Sequence, residues 1–139
     1  KVVIQTSSPD HPILSFILRH KYEDFFKAEI EDRKQNSYPP FTRLIEITVK
    51  HIDKKVTRGA SQALTALLRE RLQGIKVLGP GEPMISKIRN QFLMSLLIKI
   101  PRGKASLVQA KLTIQQSIEQ MLGEKAYRNT RVIADVDPV

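Results

Sequence analysis

Between Phe92 and Ile100 every second residue is large and apolar: Phe92, Met94, Leu96, Ile98 and Ile100. Side chains of a strand point alternately to its two faces, so this alternation predicts a long strand with one face in a core. Residues 77–100 as a whole read as a short strand, a Gly79-Pro80-Gly81-Glu82-Pro83 corner, a second extended run, a turn near Arg89-Asn90, and this strand. The resulting hairpin is expected at the centre of a sheet, because the segments on either side of it are amphipathic and need a surface to pack on.

The flanking order supports that placement. Residues 41–51 alternate, with Ile45, Ile47 and Val49 on one side and Thr42, Leu44, Glu46, Thr48 and Lys50 on the other. Asp53 can cap a helix running to Gln73, with Val56, Ala60, Ala63, Leu64, Leu67 and Leu72 on its inner stripe and Gly74 past its end. A second helix is predicted over 104–122, facing inward through Leu107, Ile114, Ile118, Met121 and Leu122. A last strand covers 131–137, with Val132, Ala134 and Val136 on one face. Strand, helix, strand, strand, helix, strand is the split βαβ order. Right-handed crossovers then place both helices on one face of a four-stranded antiparallel sheet, an α+β, ferredoxin-like fold. The opposite face holds Leu44, Leu93, Leu97 and Ile133, an apolar patch that calls for a cover: the N-terminal helices, a partner domain or another subunit.

Upstream, residues 1–6 carry Val2-Val3-Ile4 and read as a strand, followed by helices over 12–19 and 22–35. Tyr38-Pro39-Pro40-Phe41 stops the second helix and imposes an extended path. The domain boundary is placed there, giving 1–37 as an N-terminal extension and 38–139 as the main domain. The chain opens on Lys1 in an apolar stretch, which suggests a piece of something larger.

Function classes narrow by elimination. Without cysteine there is no disulfide scaffold, thiolate zinc site or cysteine nucleophile. No apolar run is long enough to cross a bilayer, no signal peptide is visible, and no membrane partner is expected. Gly103-Lys104 is followed by Ala105, so a phosphate-binding P-loop fails, and Gly79-Pro80-Gly81 lacks dinucleotide-binding spacing. The histidines His11, His20 and His51 lie in different elements, so no metal site is expected, and no hydroxyl residue has a plausible triad. Asp135 and Asp137 share a face near a strand end; they could hold a metal, but Asp before Pro more often closes a turn.

The remaining signal is positive charge. The chain carries 23 Lys+Arg against 14 Asp+Glu, a net +9 and a pI near 10.0. Such an excess favours a polyanion, nucleic acid first. Lys87, Arg89, Lys99, Arg102 and Lys104 gather on or beside the hairpin and the start of the second helix, where they suit phosphate contact or serve as a solvated rim. Aromatics are scarce on the open face, which argues for backbone contact rather than base stacking.

Taken in order, Gln5-Thr6, Pro9, His11-Pro12, Tyr22, Phe25, Glu29, Arg33, Tyr38-Pro39-Pro40-Phe41, Leu78-Gly79-Pro80 and Asp135-Val136-Asp137-Pro138 resemble the C-terminal end of the bacterial replication-restart DNA helicase, the primosomal protein N prime family. The resemblance implies a parent that is a superfamily 2 helicase. Such a parent binds abandoned forks, hydrolyses ATP, translocates 3′ to 5′ and helps reload the replicative helicase. Residues 1–37 would be the tail of its second helicase lobe. Residues 38–139 would be a non-catalytic domain similar to a small-subunit ribosomal protein, contacting branched DNA. The parent's cofactors, ATP, magnesium and zinc, would bind upstream, so none is expected in this chain. Implied partners are fork or branched duplex, single-stranded DNA, single-stranded-DNA-binding protein and other primosome proteins, in a cytoplasmic, nucleoid-associated setting. Where the family's hairpin strand often reads aromatic-Arg-aromatic-Gln, this chain has Phe92, Leu93, Met94 and Ser95. The DNA-contacting role therefore shifts to Lys87, Arg89, Arg102 and Lys104. Three rivals are a protein-docking module, which positions helicase lobes or takes the acidic tail of single-stranded-DNA-binding protein, an RNA-binding ribosomal-type protein, and an enzyme with an independent activity of its own.

Overall fold

A computed structural model describes residues 1–138, apart from the side chains of Lys104 and Ala105. The chain divides into two compact units, Lys1–Asn36 and Ser37–Val139.

The first unit holds α1 (Pro12–Leu18) and α2 (Tyr22–Gln35). His11 caps α1 by accepting a hydrogen bond from the Ile13 N–H, and Glu29 pairs with Arg33 at 2.8 Å along α2. Neither helix has a buried residue; Phe16 and Phe25 meet at 6.3 Å between ring centres, while Tyr22 and Phe26 remain exposed. The strand expected over 1–6 is absent: these residues have no regular structure and Val2 and Val3 are exposed. A strand needs a ladder partner, and this unit supplies none.

The second unit is α+β and ferredoxin-like. It runs β1 (Thr42–His51), α3 (Lys54–Arg71), β2 (Lys76–Gly81), β3 (Lys87–Ile88), β4 (Gln91–Pro101), α4 (Lys104–Gly123) and β5 (Arg131–Val136). The sheet order is β2-β4-β1-β5, with short β3 paired to β4, and every pairing is antiparallel. The long alternating segment, β4, lies between β1 and β2, as its pattern requires. Register places Ile45, Ile47 and Val49 beside Ile98, Leu96 and Met94, on the face covered by α3 and α4. Ile47, Leu64, Leu96, Ile98, Ile100 and Met121 are sealed from solvent in this core.

Helix α3 departs from the expected stripe. Leu68 is fully buried, along with Thr57, Ser61 and Thr65. Their hydroxyls donate to backbone carbonyls one turn back, Thr57 to Asp53 at 2.9 Å and Thr65 to Ser61 at 2.7 Å, so small polar residues can be buried without an orphan group. At the end of α3, Arg71 reaches Ser117 and Gln120 of α4.

Strand β5 differs as well. Ala134 and Val136 share the helix-side face by register but stay exposed, Val136 at 43%. Strand β5 pairs with β1 alone, and α4 packs on α3 and β4, so its lower face is left partly uncovered.

Asp137 takes the turn-closing role. Its carboxylate accepts from the Leu44 N–H at 3.0 Å and from the Arg43 guanidinium, clamping the ends of β1 and β5 together. The Leu44 hydrogen bond first, and Arg43 second, hold its carboxyl below the ordinary aspartate value. A depressed value in the folded state gives stability that is present at neutral pH and lost as pH falls through the acid range below about 4. Thermal melts of Asp137→Asn should therefore start lower at neutral pH and show a weaker acid dependence than the parent. Parallel pH profiles would refute the clamp.

Candidate nucleic-acid interface

The hairpin end of the sheet is built by a tight turn. Arg89 and Asn90 have φ of 47° and 63°, the two positive values of a type I′ turn. Asparagine tolerates this region; arginine rarely occupies it. The arm is held at its base. Leu93 N–H donates to the Ser86 carbonyl at 2.9 Å, Glu82 pairs with Lys54 at 2.9 Å, and the Lys87 ammonium lies 4.9 Å from the centre of the Phe92 ring. The hydrogen bond to Lys54 and its charge lower the Glu82 carboxyl below its ordinary value. Arg69 of α3 fixes the corner before the arm, donating to the Gly79 carbonyl at 2.8 Å. Gly79 is required there: its φ is +103°, and a Cβ would sit 2.8 Å from the Ser95 carbonyl.

The basic residues singled out from sequence do not form one cluster. Lys87 and Arg89 lie at the start of β4, and Arg102 lies just past its end. With 11 residues in β4 at about 3.3 Å each, the two groups are more than about 30 Å apart. The expectation of a single cluster fails because these residues flank one extended strand. Lys99 is 9% exposed, with its ammonium 3.9 Å from the centre of the Tyr38 ring, so its charge faces an aromatic surface rather than solvent. The Lys104 side chain lies outside the described residues. In the apolar set, Leu44 and Leu93 are buried, Leu97 is half-buried, and Ile133 is 41% exposed.

Register exposes a feature missed in the sequence. On the open face Lys50 of β1 stands directly opposite Arg131 of β5 and, on its other side, Leu93 of β4. Thr48 and Ile133 form the next row, and Glu46 and Asp135 the row beyond. The open face thus has a cationic row at the hairpin end and a carboxylate row about 13 Å further along β1 and β5, while Lys99 and Lys76, paired across β4 and β2, put further cations on the same face beyond. Among the described residues no carboxylate pairs with Lys50, Arg89 or Arg131. Two like charges directly opposite each other in a sheet destabilise it, so this row favours an anion. The signal was present in principle, since strand order β5-β1 with the hairpin alternation brings Lys50 and Arg131 to one row; the exact register was the missing quantity.

Residues 34–139 match the family described as Primosomal protein N C-terminal domain. The chain belongs to that family. Its relatives include proteins named Replication restart protein PriA. That of Synechocystis sp. is 28% identical over 140 residues, covering 100% of this chain and 16% of the relative. That of Haemophilus influenzae is 30% identical over 142 residues, covering 99% and 18%. That of Bacillus subtilis is 25% identical over 138 residues, covering 99% and 17%. The chain spans less than a fifth of each of these three relatives. Among solved structures, the de novo designed protein Foldit4 superposes with a TM-score of 0.50 at 11% identity, covering 70% of this chain and 98% of that one. That likeness concerns the fold alone. Among the described residues no helix of this primosomal protein N C-terminal domain chain is long and apolar enough to cross a membrane.

Proposed function

We propose that this chain is a non-catalytic, DNA-binding C-terminal part of a replication-restart 3′-to-5′ helicase, and that it contacts the backbone of branched or fork DNA. The observation that carries this reading is the Lys50–Arg131 row on the open face, two cations standing directly opposite each other. A phosphate between them turns a repulsive pair into two charge-assisted contacts. The carboxylates Glu46 and Asp135 repel a backbone from their own row and so limit how far along β1 and β5 it lies. Lys87 is a flanking contact; Arg102 and Lys104 are a separate, distal one, and Lys99 is a packing residue. The names of the relatives support the replication-restart context; the helicase context is what the sequence resemblance implies. Residues 1–37 then continue the second helicase lobe, for which the lack of buried residues in α1 and α2 is support. ATP, magnesium and zinc belong to parts of the parent outside this chain, and the setting is the cytoplasmic nucleoid.

The test is a salt titration of this chain on fork DNA. The logarithm of affinity should fall linearly with the logarithm of salt concentration, with a slope of about −0.9 per phosphate contacted. Absence of binding at low salt would overturn the reading. A second reading, docking of the acidic tail of single-stranded-DNA-binding protein or another primosome protein, is favoured by Ile133, which is exposed beside the cation row. Binding of an acidic peptide without binding of DNA would select it.

A further inference from the structure

We infer that β5 pairs with β5 of a second copy of this chain, antiparallel and centred on Ile133, so that two sheets join into one. This pairing does not depend on the DNA-binding reading above. The four-strand path of the sheet ends at β2 on one side and at β5 on the other. At β2, Arg69 takes the Val77 and Gly79 carbonyls, and Pro80 has no N–H to offer. Strand β5 has no such cover. It pairs with β1 alone, in unbroken register and without a proline, and Arg131 and residues 133–136 are exposed. A bare edge of this kind is a template for another strand.

The backbone sets which groups are offered. Asp137 N–H donates to the Leu44 carbonyl at 2.7 Å. Backbone groups of an antiparallel strand turn alternately to its two sides, so Asp135, Ile133 and Arg131 turn theirs to β1, while Val132 and Ala134 turn theirs outward. With a two-fold axis at Ile133, Val132 of one copy faces Ala134 of the other, and the two exchange both backbone hydrogen bonds. Ile133 then meets Ile133, and Arg131 meets Asp135 at both ends of the junction. These are the non-hydrogen-bonded pairs, in which side chains come closest. Among the described residues neither Arg131 nor Asp135 has an ion-pair partner within the chain; each instead faces a like charge on β1, Lys50 or Glu46. A second copy supplies the missing opposite charge. An axis on Val132 would set Asp135 against Asn129, and one on Ala134 would set it against Ile133. Charge therefore selects both the partner and the register. The Arg131 guanidinium carries several N–H donors, enough to meet this carboxylate and a phosphate together.

A junction of two six-residue strands is small beside a stable interface, so the dimer should form at roughly 0.1–1 mM. The test is sedimentation equilibrium without DNA on the parent, on Arg131→Glu, on Asp135→Arg and on an equal mixture of the two variants. Either change sets an opposite charge beside Lys50 or Glu46 on β1, so both variants should melt no lower than the parent. The parent is expected to show a concentration-dependent monomer–dimer equilibrium. Each variant alone meets like charges at both ends of the junction and should associate at least about tenfold more weakly. The mixture should recover the parent's association. In it the introduced carboxylate of one copy meets the introduced guanidinium of the other, and the native Arg131 and Asp135 still meet. A parent that stays monomeric at about 1 mM overturns the pairing and leaves the edge to a strand of another protein. Variants that associate as the parent does also overturn it, because the contact then lies elsewhere in the chain. A mixture that stays monomeric overturns the register and the pairing with it. None of these outcomes touches the DNA-binding reading, which the salt titration decides separately.

Discussion

Leu96→Ala is expected to cost about 2–5 kcal/mol of folding stability, the range for truncating a large aliphatic side chain in a closed core. Leu96 is 1% exposed and lies opposite Ile47 on the central strand, under the helices. Neighbouring strands on both sides and the helix layer above leave little room for collapse, so the cavity term adds to the lost transfer energy. A domain of this size has about 5–15 kcal/mol in all. The variant should therefore unfold at markedly lower urea concentration with an unchanged slope. Leu97→Ala is the matched control. Leu97 is half-buried on the opposite face, beside Glu46, and its truncation should cost well under half as much. Equal losses at the two positions would mean that the face assignment is wrong.

Removing the facing cations should have the largest effect on binding. Lys50→Ala with Arg131→Ala is expected to weaken fork-DNA binding about 100-fold, since two charge-assisted contacts are worth about 1.5 kcal/mol or more each. The salt slope should become shallower by about two. The same change should leave the fold as stable as before or slightly more so, because a like-charge cross-strand pair is relieved. That opposition separates a ligand-binding row from a structural one. Glu46→Gln should move affinity the other way, tightening binding by removing a repulsive carboxylate. If the double variant keeps full affinity, the contact surface lies elsewhere, and the distal Arg102 end is the next place to test.

Much of the fold was legible because its signals are local or periodic. The alternation from Phe92 to Ile100 identified the central strand, and Asp53 marked the start of α3 with its cap on the Lys55 N–H at 2.7 Å. The helical stripe was less legible: Thr57, Ser61 and Thr65 fall outside its apolar pattern, yet they are buried because their hydroxyls return to the backbone. The Val2-Val3-Ile4 run shows the opposite error, since β-branched residues favour a buried strand but cannot supply the neighbour it must pair with.

The candidate site depended on distances that no sequence window contains. Closeness in sequence grouped Lys87, Arg89 and Arg102, yet an extended strand carries the last of these to the far end of the sheet. Lys99 sat on the correct face by parity but was drawn under Tyr38. By itself, the order of residues determined which segments are strands and helices, how they follow one another, and that the chain carries an excess of positive charge, because backbone preference, side-chain periodicity and ionisation are properties of short stretches. Only the tertiary structure decided which charges meet. The pairing of Lys50 with Arg131, the burial of Lys99 and the exposure of the arm tip follow from register and packing between distant segments, Lys50 and Arg131 being 81 residues apart, and those are fixed only when the core closes.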